Sequence, residues 1–346
     1  MTRRIAVLPG DGVGPEVTAE AVQVLEALPG LSLEYEELSV GAGEYLKSGD
    51  PLPEATFERL KEFDAVLLGA MGLPGVRWPA GIEMTPQIDL RERLDLYCGL
   101  RPIRLYHGSH SPLKGLEAGA IDLMLVRENT EGLFVSRLDP LDRGAGFAED
   151  RLRITRTGAE RVCRSAFEQA RQRRGRVALV DKANVLPSMA YFRMVFDEVA
   201  AGYPEVETQR IYVDAMALYL VQCPQRFDVL VTENMSGDIL SDLAAGLVGG
   251  MGMAPSADIG TKHGVFQPSH GSAPDIAGRG LANPVATILS AAMMLEWLGG
   301  AAERGGAALI RRGVERVLSE EGAGTRDLGG RMSTADLGRA IREALQ

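Results

Sequence analysis

Short β-rich runs alternate with helical segments along almost the whole chain, and that alternation restricts it to an α/β architecture. The runs are Ile5–Leu8, Ala65–Leu68, Leu123–Val126, Val177–Val180, Arg210–Val213 and Val229–Thr232. Between them lie amphipathic stretches such as Glu16–Leu28, Gly158–Arg171 and Met189–Ala201. At 346 residues the chain can hold a large core and two domains. It shows no repeat and no low-complexity linker, and Pro and Gly are spread throughout, so composition marks no boundary. The longest apolar stretch, Val285–Leu298, is interrupted by Thr287, Ser290 and Glu296 and is too short to span a bilayer. Arg3 and Arg4 lead directly into Ile5–Leu8 without an apolar leader, so a cytoplasmic location is expected.

The net charge of -10 argues against nucleic acid as a partner. An acidic ligand would then need local arginine clusters to overcome the overall field. Cys98, Cys163 and Cys223 are too few and too scattered for a disulfide framework and read as reduced, packed thiols.

Four segments carry residues suited to chemistry. In Asn234-Met235-Ser236-Gly237-Asp238-Ile239-Leu240-Ser241-Asp242, which follows a strand and opens a helix, Asp238 and Asp242 stand one turn apart on one face. Their mutual repulsion points to a hard divalent cation. The helix dipole is the competing explanation, and it suits Asp238 better than Asp242. Arg91, Arg93 and Arg101 sit on or just after one helical stretch, and Arg127 ends a strand. Planar guanidinium forks grip carboxylates, so a substrate with several carboxylates is expected; Arg93 alone reads as a surface residue. Lys182 follows a strand, where nearby cations could lower its pKa and make it a base, or where it is simply a surface lysine. Asp214 closes the run Arg210–Val213. The loop His270-Gly271-Ser272-Ala273-Pro274-Asp275 combines small residues with a histidine for an adenine and a carboxylate for ribose hydroxyls; an irregular surface loop would look the same. Finally, Gly10-Asp11-Gly12-Val13-Gly14 imitates a dinucleotide fingerprint with the wrong spacing, and a tight turn with Pro15 opening a helix accounts for it equally well.

Taken together, the segments from Pro9 to Glu16, Leu100-Arg101-Pro102, Val126 to Gly132, Asp181-Lys182-Ala183-Asn184, Val213-Asp214-Ala215, Gly237 to Asp242 and His270 to Asp275 resemble the isocitrate/isopropylmalate dehydrogenase family of β-decarboxylating dehydrogenases. The stretches Ser241–Gly250 and Ala282–Leu298 look most like its homoisocitrate and isopropylmalate branches. The resemblance implies a two-domain α/β fold that is not a Rossmann fold. Its large cofactor-binding domain would be discontinuous, about residues 1–98 and 250–346. The small domain, about 99–249, would carry the dimer contacts and the metal-binding helix.

The resemblance also implies roles. Arg91, Arg101 and Arg127 would hold the carboxylates of a malate-type hydroxy diacid, with Thr85, Gln87 and Ile88 in the substrate-selecting stretch. Asp238 and Asp242 would bind Mg²⁺ or Mn²⁺, joined by Asp214 from the other subunit of a homodimer with shared sites. Lys182, with Asp214, would take the hydroxyl proton. His270, Gly271, Ser272, Ala273, Asp275 and Asn283 would hold the adenosine side of NAD, with Asn184 near the nicotinamide. An aspartate at 275 matches the NAD-using members.

Three departures stand out. Phe134 occupies the place of the usual tyrosine acid seven residues after Arg127. Phe266-Gln267-Pro268 replaces Phe-Glu-Pro. Thr85-Pro86-Gln87-Ile88-Asp89-Leu90 has neither the leucines of isopropylmalate enzymes nor the extra arginine of homoisocitrate enzymes. The expected activity is NAD-dependent oxidation, usually with decarboxylation, of D-malate, tartrate or a 3-alkylmalate. The alternatives are an oxidoreductase of the same fold with little decarboxylation, because Phe134 lacks a proton to give, and a catalytically weak regulatory subunit.

Overall fold

The computed structural model of the chain describes residues 2–79, 81–140, 144 and 146–345. Its framework is a ten-stranded sheet of β1 (Arg3–Gly10), β2 (Leu33–Glu37), β3 (Ala65–Ala70), β4 (Cys98–Arg104), β5 (Asp122–Glu128), β6 (Arg176–Asp181), β7 (Glu207–Tyr212), β8 (Val229–Thr232), β9 (Pro255–Ile259) and β10 (Gly264–Pro268). The order across the sheet is β2-β1-β3-β10-β9-β4-β5-β8-β6-β7. Strands from the two ends of the chain therefore lie on one side, and strands from its middle on the other. Both flanks are parallel, as helical crossovers require. The centre is antiparallel, where β10 pairs with β9, β9 with β4, and β4 with β5. The β9–β4 seam is short and sets Gly99 opposite Asp258.

The strands expected from sequence are present, most of them slightly longer than their apolar runs. β3 is buried at all six positions, as a parallel strand covered on both faces must be. One boundary needs correcting. β7 ends at Tyr212, and Val213 already belongs to the helix Val213–Gln222. Tyr212 keeps extended angles (φ -68°, ψ 144°) and caps the helix with no loop between, so Asp214 lies in a first helical turn and not at a strand end. Arg101 likewise lies within β4, while Arg91 and Arg93 end the helix Pro86–Arg93.

The helix Val285–Leu298 is buried without a break from Val285 to Leu295 and packs on β9, β10 and the helix Gly14–Glu26. A helix apolar all round needs partners on every side, and this one forms the middle of the core. Among the described residues no helix is long and apolar enough to cross a membrane. Cys98 and Cys163 are buried free thiols, and burial pushes Cys98 up to about 12, so it stays protonated near neutrality.

The glycine segment after β1 is a clasp. Gly10 (φ +73°) and Gly12 (φ +60°) are left-handed, and a Cβ on Gly12 would lie 1.9 Å from the Ser272 carbonyl oxygen. Val13 N donates to that same oxygen at 2.8 Å. The buried Asp11 carboxylate accepts from the backbone N–H groups of Ala42, Gly43 and Gly72 at 2.8, 2.8 and 2.7 Å. The tight turn thus accounts for these glycines, and Pro15 sits in the first turn of the helix that follows. Gly12→Ala combines left-handed strain with a backbone clash and should cost at least about 1–2 kcal/mol. A urea titration should show a lower midpoint at unchanged slope. A midpoint equal to that of the unsubstituted protein would mean that the turn is under no such constraint.

Candidate active site

Asp258 on β9 is 1% exposed and accepts four hydrogen bonds. Arg91 Nε (2.8 Å) and Gln267 Nε2 (2.7 Å) donate to Oδ2; Arg101 Nη2 (3.0 Å) and Asn129 Nδ2 (2.8 Å) donate to Oδ1. Burial alone would raise this carboxyl, but the charges of Arg91 and Arg101 and the Asn129 hydrogen bond hold it well below the usual carboxylate range. Arg101 also donates to the Leu100 carbonyl at 3.2 Å. Arg91 spends only its Nε here. Its two Nη groups have no partner among the described residues and border a cleft of about 280 Å³.

Arg127, at the end of β5, runs beneath the start of the helix Asn234–Gly246. Its Nε and Nη2 donate to Asn234 Oδ1 at 3.0 and 2.7 Å, and its Nη1 pairs with Asp238. Burial, then the like charge of Arg91, lowers Arg127 to about 10, which leaves it charged near neutrality. Gly237 makes this passage possible, because a Cβ there would stand 2.7 Å from Arg127 Cγ. The helix starts where it does because the Glu233 carboxylate caps it, accepting from Met235 N (3.0 Å) and Ser236 N (2.7 Å). Asp238 and Asp242 then project from one face into the cleft. Partial desolvation, and after it the like charge of Asp238, raises Asp242 above its ordinary value.

The cleft thus brings together Gln87, Ile88, Arg91, Arg101, Arg127, Asp238 and Asp242, with His270 and Gly271 at its edge. Phe134 is also in its wall, with the Arg127 guanidinium 5.5 Å from the ring centroid. Gln267, set apart in sequence by its missing carboxylate, lines the cleft and donates to Asp258. Arg93 lies apart, paired with Glu54 and stacked on Phe57, as a surface arginine should be.

Other singled-out residues lie outside the cleft lining. Thr85 caps the helix Pro86–Arg93 through its carbonyl, which accepts from Ile88 N at 2.8 Å. Lys182 Nζ pairs with Asp214 Oδ1 at 2.6 Å, a contact that lowers the Asp214 carboxyl; neither residue borders the cleft of its own chain. Asn184 lies in the turn after β6. Beyond Gly271, Ser272 is held by the Val13 clasp, Ala273 adopts φ +37°, and Asp275 is exposed. Asn283 is buried and fixed at both ends, donating to Asp327 Oδ2 at 3.0 Å and accepting from Val285 N at 3.0 Å. Burial lowers the His270 pKa, so its imidazole is neutral near pH 7. Asp258, Asn129 and Asp327 are the residues sequence reasoning did not assign. For Asp258 a signal existed, a single charge inside the otherwise uncharged stretch Ala254–Ile259.

A family model described as isocitrate/isopropylmalate dehydrogenase matches residues 4–341. A protein named 3-isopropylmalate dehydrogenase from Zymomonas mobilis is 44% identical over 352 residues, covering 99% of each chain. The crystal structure of isocitrate dehydrogenase from Methylococcus capsulatus superposes with a TM-score of 0.90 at 39% identity, covering 99% of each chain. That of a beta-decarboxylating dehydrogenase from Thermococcus kodakarensis gives 0.82 at 39% identity, covering 99% of this chain and 96% of the other. Matched over nearly its whole length, the chain belongs to the isocitrate/isopropylmalate dehydrogenase family.

Proposed function

We propose that the protein is an NAD- and divalent-metal-dependent dehydrogenase that oxidises and decarboxylates a 3-substituted malate, in the manner of a 3-isopropylmalate dehydrogenase. The observation that carries this reading is one cleft in which three buried arginines face two carboxylates one helical turn apart. Arg91 offers a free Nη fork, and Arg101 and Arg127 stand beside it, a set matched to a diacid. Ile88 and Phe134 supply apolar surface for an uncharged substituent. The buried Gln87 Oε1 has no partner among the described residues and is placed to accept from a ligand hydroxyl.

Asp238 and Asp242 fit Mg²⁺ or Mn²⁺, because their mutual repulsion and the raised Asp242 carboxyl are relieved by a hard cation. Such a cation polarises the substrate hydroxyl and stabilises the charge that develops as CO₂ leaves. His270, Gly271, Ser272, Ala273, Asp275 and Asn283 fit the adenosine half of NAD, which accepts the hydride, with Asn184 toward the nicotinamide. Gly271 has open space around its Cα, and the exposed Asp275 carboxylate suits ribose hydroxyls and would repel a 2′-phosphate. A spectrophotometric assay should therefore give NADH from 3-isopropylmalate or D-malate, abolished by EDTA, restored by Mn²⁺, and with a higher kcat/KM for NAD than for NADP. Full activity after metal stripping, or no turnover of any malate, would overturn the reading.

Lys182 Nζ is assigned the hydroxyl proton, with Asp214 as its partner and the third metal ligand. Both lie outside the cleft of their own chain, so a second copy is needed to deliver them. Exposed Met235 and Ile239 flank Asp238 on its helix, and exposed Leu218 and Val221 lie on the helix whose first turn holds Asp214. An apolar face beside the carboxylates suits a homodimer contact. The reading includes a division into domains of about 1–98 with 250–346 and about 99–249, with the dimer face on the smaller one; the sheet order, which separates strands from the chain's ends from those of its middle, supports it. Lys182→Met and Asp242→Asn proteins should each be inactive, yet regain activity when mixed and allowed to exchange subunits, because one cleft of the heterodimer is intact. No recovery in a verified heterodimer would rule out shared sites.

A second reading rests on Phe134, whose ring lines the cleft without a proton to give. Oxidation needs only the base, the cation and NAD, but protonation of the carbon that loses CO₂ would be slow. Loss of a general acid costs the step it serves about 10²–10⁴-fold. On this reading Phe134→Tyr should release more CO₂ per NADH, or turn over faster. If the unsubstituted protein already releases one CO₂ per NADH at a rate that tyrosine does not improve, Phe134 is a packed wall and the main reading stands unmodified.

A further inference from the structure

Arg137 follows the 3₁₀ turn Leu133–Ser136, whose Phe134 ring stands in the cleft wall. Its backbone N–H donates to the Phe134 carbonyl at 3.1 Å, which ties the two residues within one turn. Its guanidinium reaches the helix Pro86–Arg93. There Nε donates to Glu92 Oε1 at 3.0 Å, and Nη2 donates to Glu92 Oε2 at 2.8 Å and to Asp89 Oδ1 at 2.6 Å. Among the described residues these are the only hydrogen bonds between the turn and that helix. The Arg137 side chain is 15% exposed, so solvent screens the pairing little. Asp89 and Glu92 stand three residues apart on one helix face, where like charges repel, and a single guanidinium fork satisfies both. The neighbouring row of the same helix, Ile88 and Arg91, lines the cleft. The other side of the turn is anchored separately. Gly132 and Arg153 exchange backbone hydrogen bonds at 3.0 and 3.2 Å, and Ser136 Oγ accepts from Arg151 N at 2.9 Å.

We propose that Arg137 is a positioning residue: it clamps the Phe134 turn to the helix that carries Ile88 and so sets the width of the apolar subsite for the substrate's uncharged substituent. Arg137, Asp89 and Glu92 do not border the cleft, so the clamp acts through Phe134 and Ile88 and not on the ligand. The inference rests on the proposed function for its substrate class.

The test is calorimetric binding of succinate and 2-isopropylsuccinate, with Mn²⁺ present. The two diacids differ only in the substituent. Neither has a hydroxyl to oxidise, so inactivity toward every malate would sink the proposed function and leave this comparison readable. The unsubstituted protein should favour 2-isopropylsuccinate. Arg137→Ala should cut that preference about tenfold, with succinate affinity held within about twofold. Asp89→Asn with Glu92→Gln should give the same loss, and adding Arg137→Ala to that pair should cost nothing further, because both changes remove one contact. The acid pair also serves if Arg137→Ala does not fold. Arg137→Lys keeps a charge for one acid and should recover part of the preference. If both ligands weaken in parallel, or if the ratio stays fixed, Arg137 supports the fold without shaping the subsite, and the proposal is overturned. It is equally overturned if the unsubstituted protein does not favour 2-isopropylsuccinate.

Discussion

The ion cluster around Asp258 is the constraint on which the rest of the cleft depends. It sits on the short antiparallel seam where strands from the chain's ends meet strands from its middle. Isolated there, a buried carboxylate or a buried guanidinium would cost several kcal/mol. Each of the two arginines is tolerable because it shares this anion, and the anion because four N–H groups surround it. Gly99, directly opposite, must be glycine, since a Cβ would lie 2.7 Å from Asn129 Oδ1 and push the amide off the carboxylate. Removing one member therefore exposes the others to an unpaired burial, so the forks are held in register before any ligand arrives.

The second half of the cleft is organised by a helix start. Glu233 occupies the exposed backbone N–H groups, and Asn234 takes two donors from Arg127 and gives its own amide to the Glu131 carbonyl at 2.9 Å. These bonds lock the first turn, and with it the direction in which Asp238 and Asp242 point. Gly237 lets the Arg127 side chain pass close beneath. The three features sit within five consecutive residues, which is why this segment reads so clearly from sequence.

Legibility followed the same physics. Central strands such as β3 and β8 are continuous apolar runs and were visible; β2, reading Leu-Glu-Tyr-Glu-Glu, is an edge strand whose charges hid it. β4 and β9 escaped for a related reason, since each carries a charge, Arg101 or Asp258, in a strand buried only because the two ions meet. Arg91, Arg127 and the aspartate pair were legible because local spacing exposes them. Asp258 and Asp327 act across sequence separations of more than 40 residues, on Arg91, Arg101 and Asn283, and no local pattern encodes that. Asp214 was misplaced because Val213 favours strands, while the helix beginning at that residue is set by the apolar run that follows.

Arg127 couples the two halves of the cleft. It is buried, and burial and the like charge of Arg91 lower it to about 10. Its anionic partner is Asp238, which stands half-exposed at the cleft. On the proposed function Asp238 must also serve a divalent cation, and one carboxylate serving both would leave Arg127 underpaired. A substrate carboxylate would relieve that shortage by supplying Arg127 with a second anion. On that function, cation and diacid would bind more favourably together than either alone, since each would relieve an electrostatic shortage that the other creates. Arg91 and Arg101 need no such exchange, because Asp258 pairs with no other cation among the described residues. The asymmetry between a permanently paired couple and one arginine with a transferable partner follows from where the two acids lie: one is buried on a strand, the other exposed on a helix.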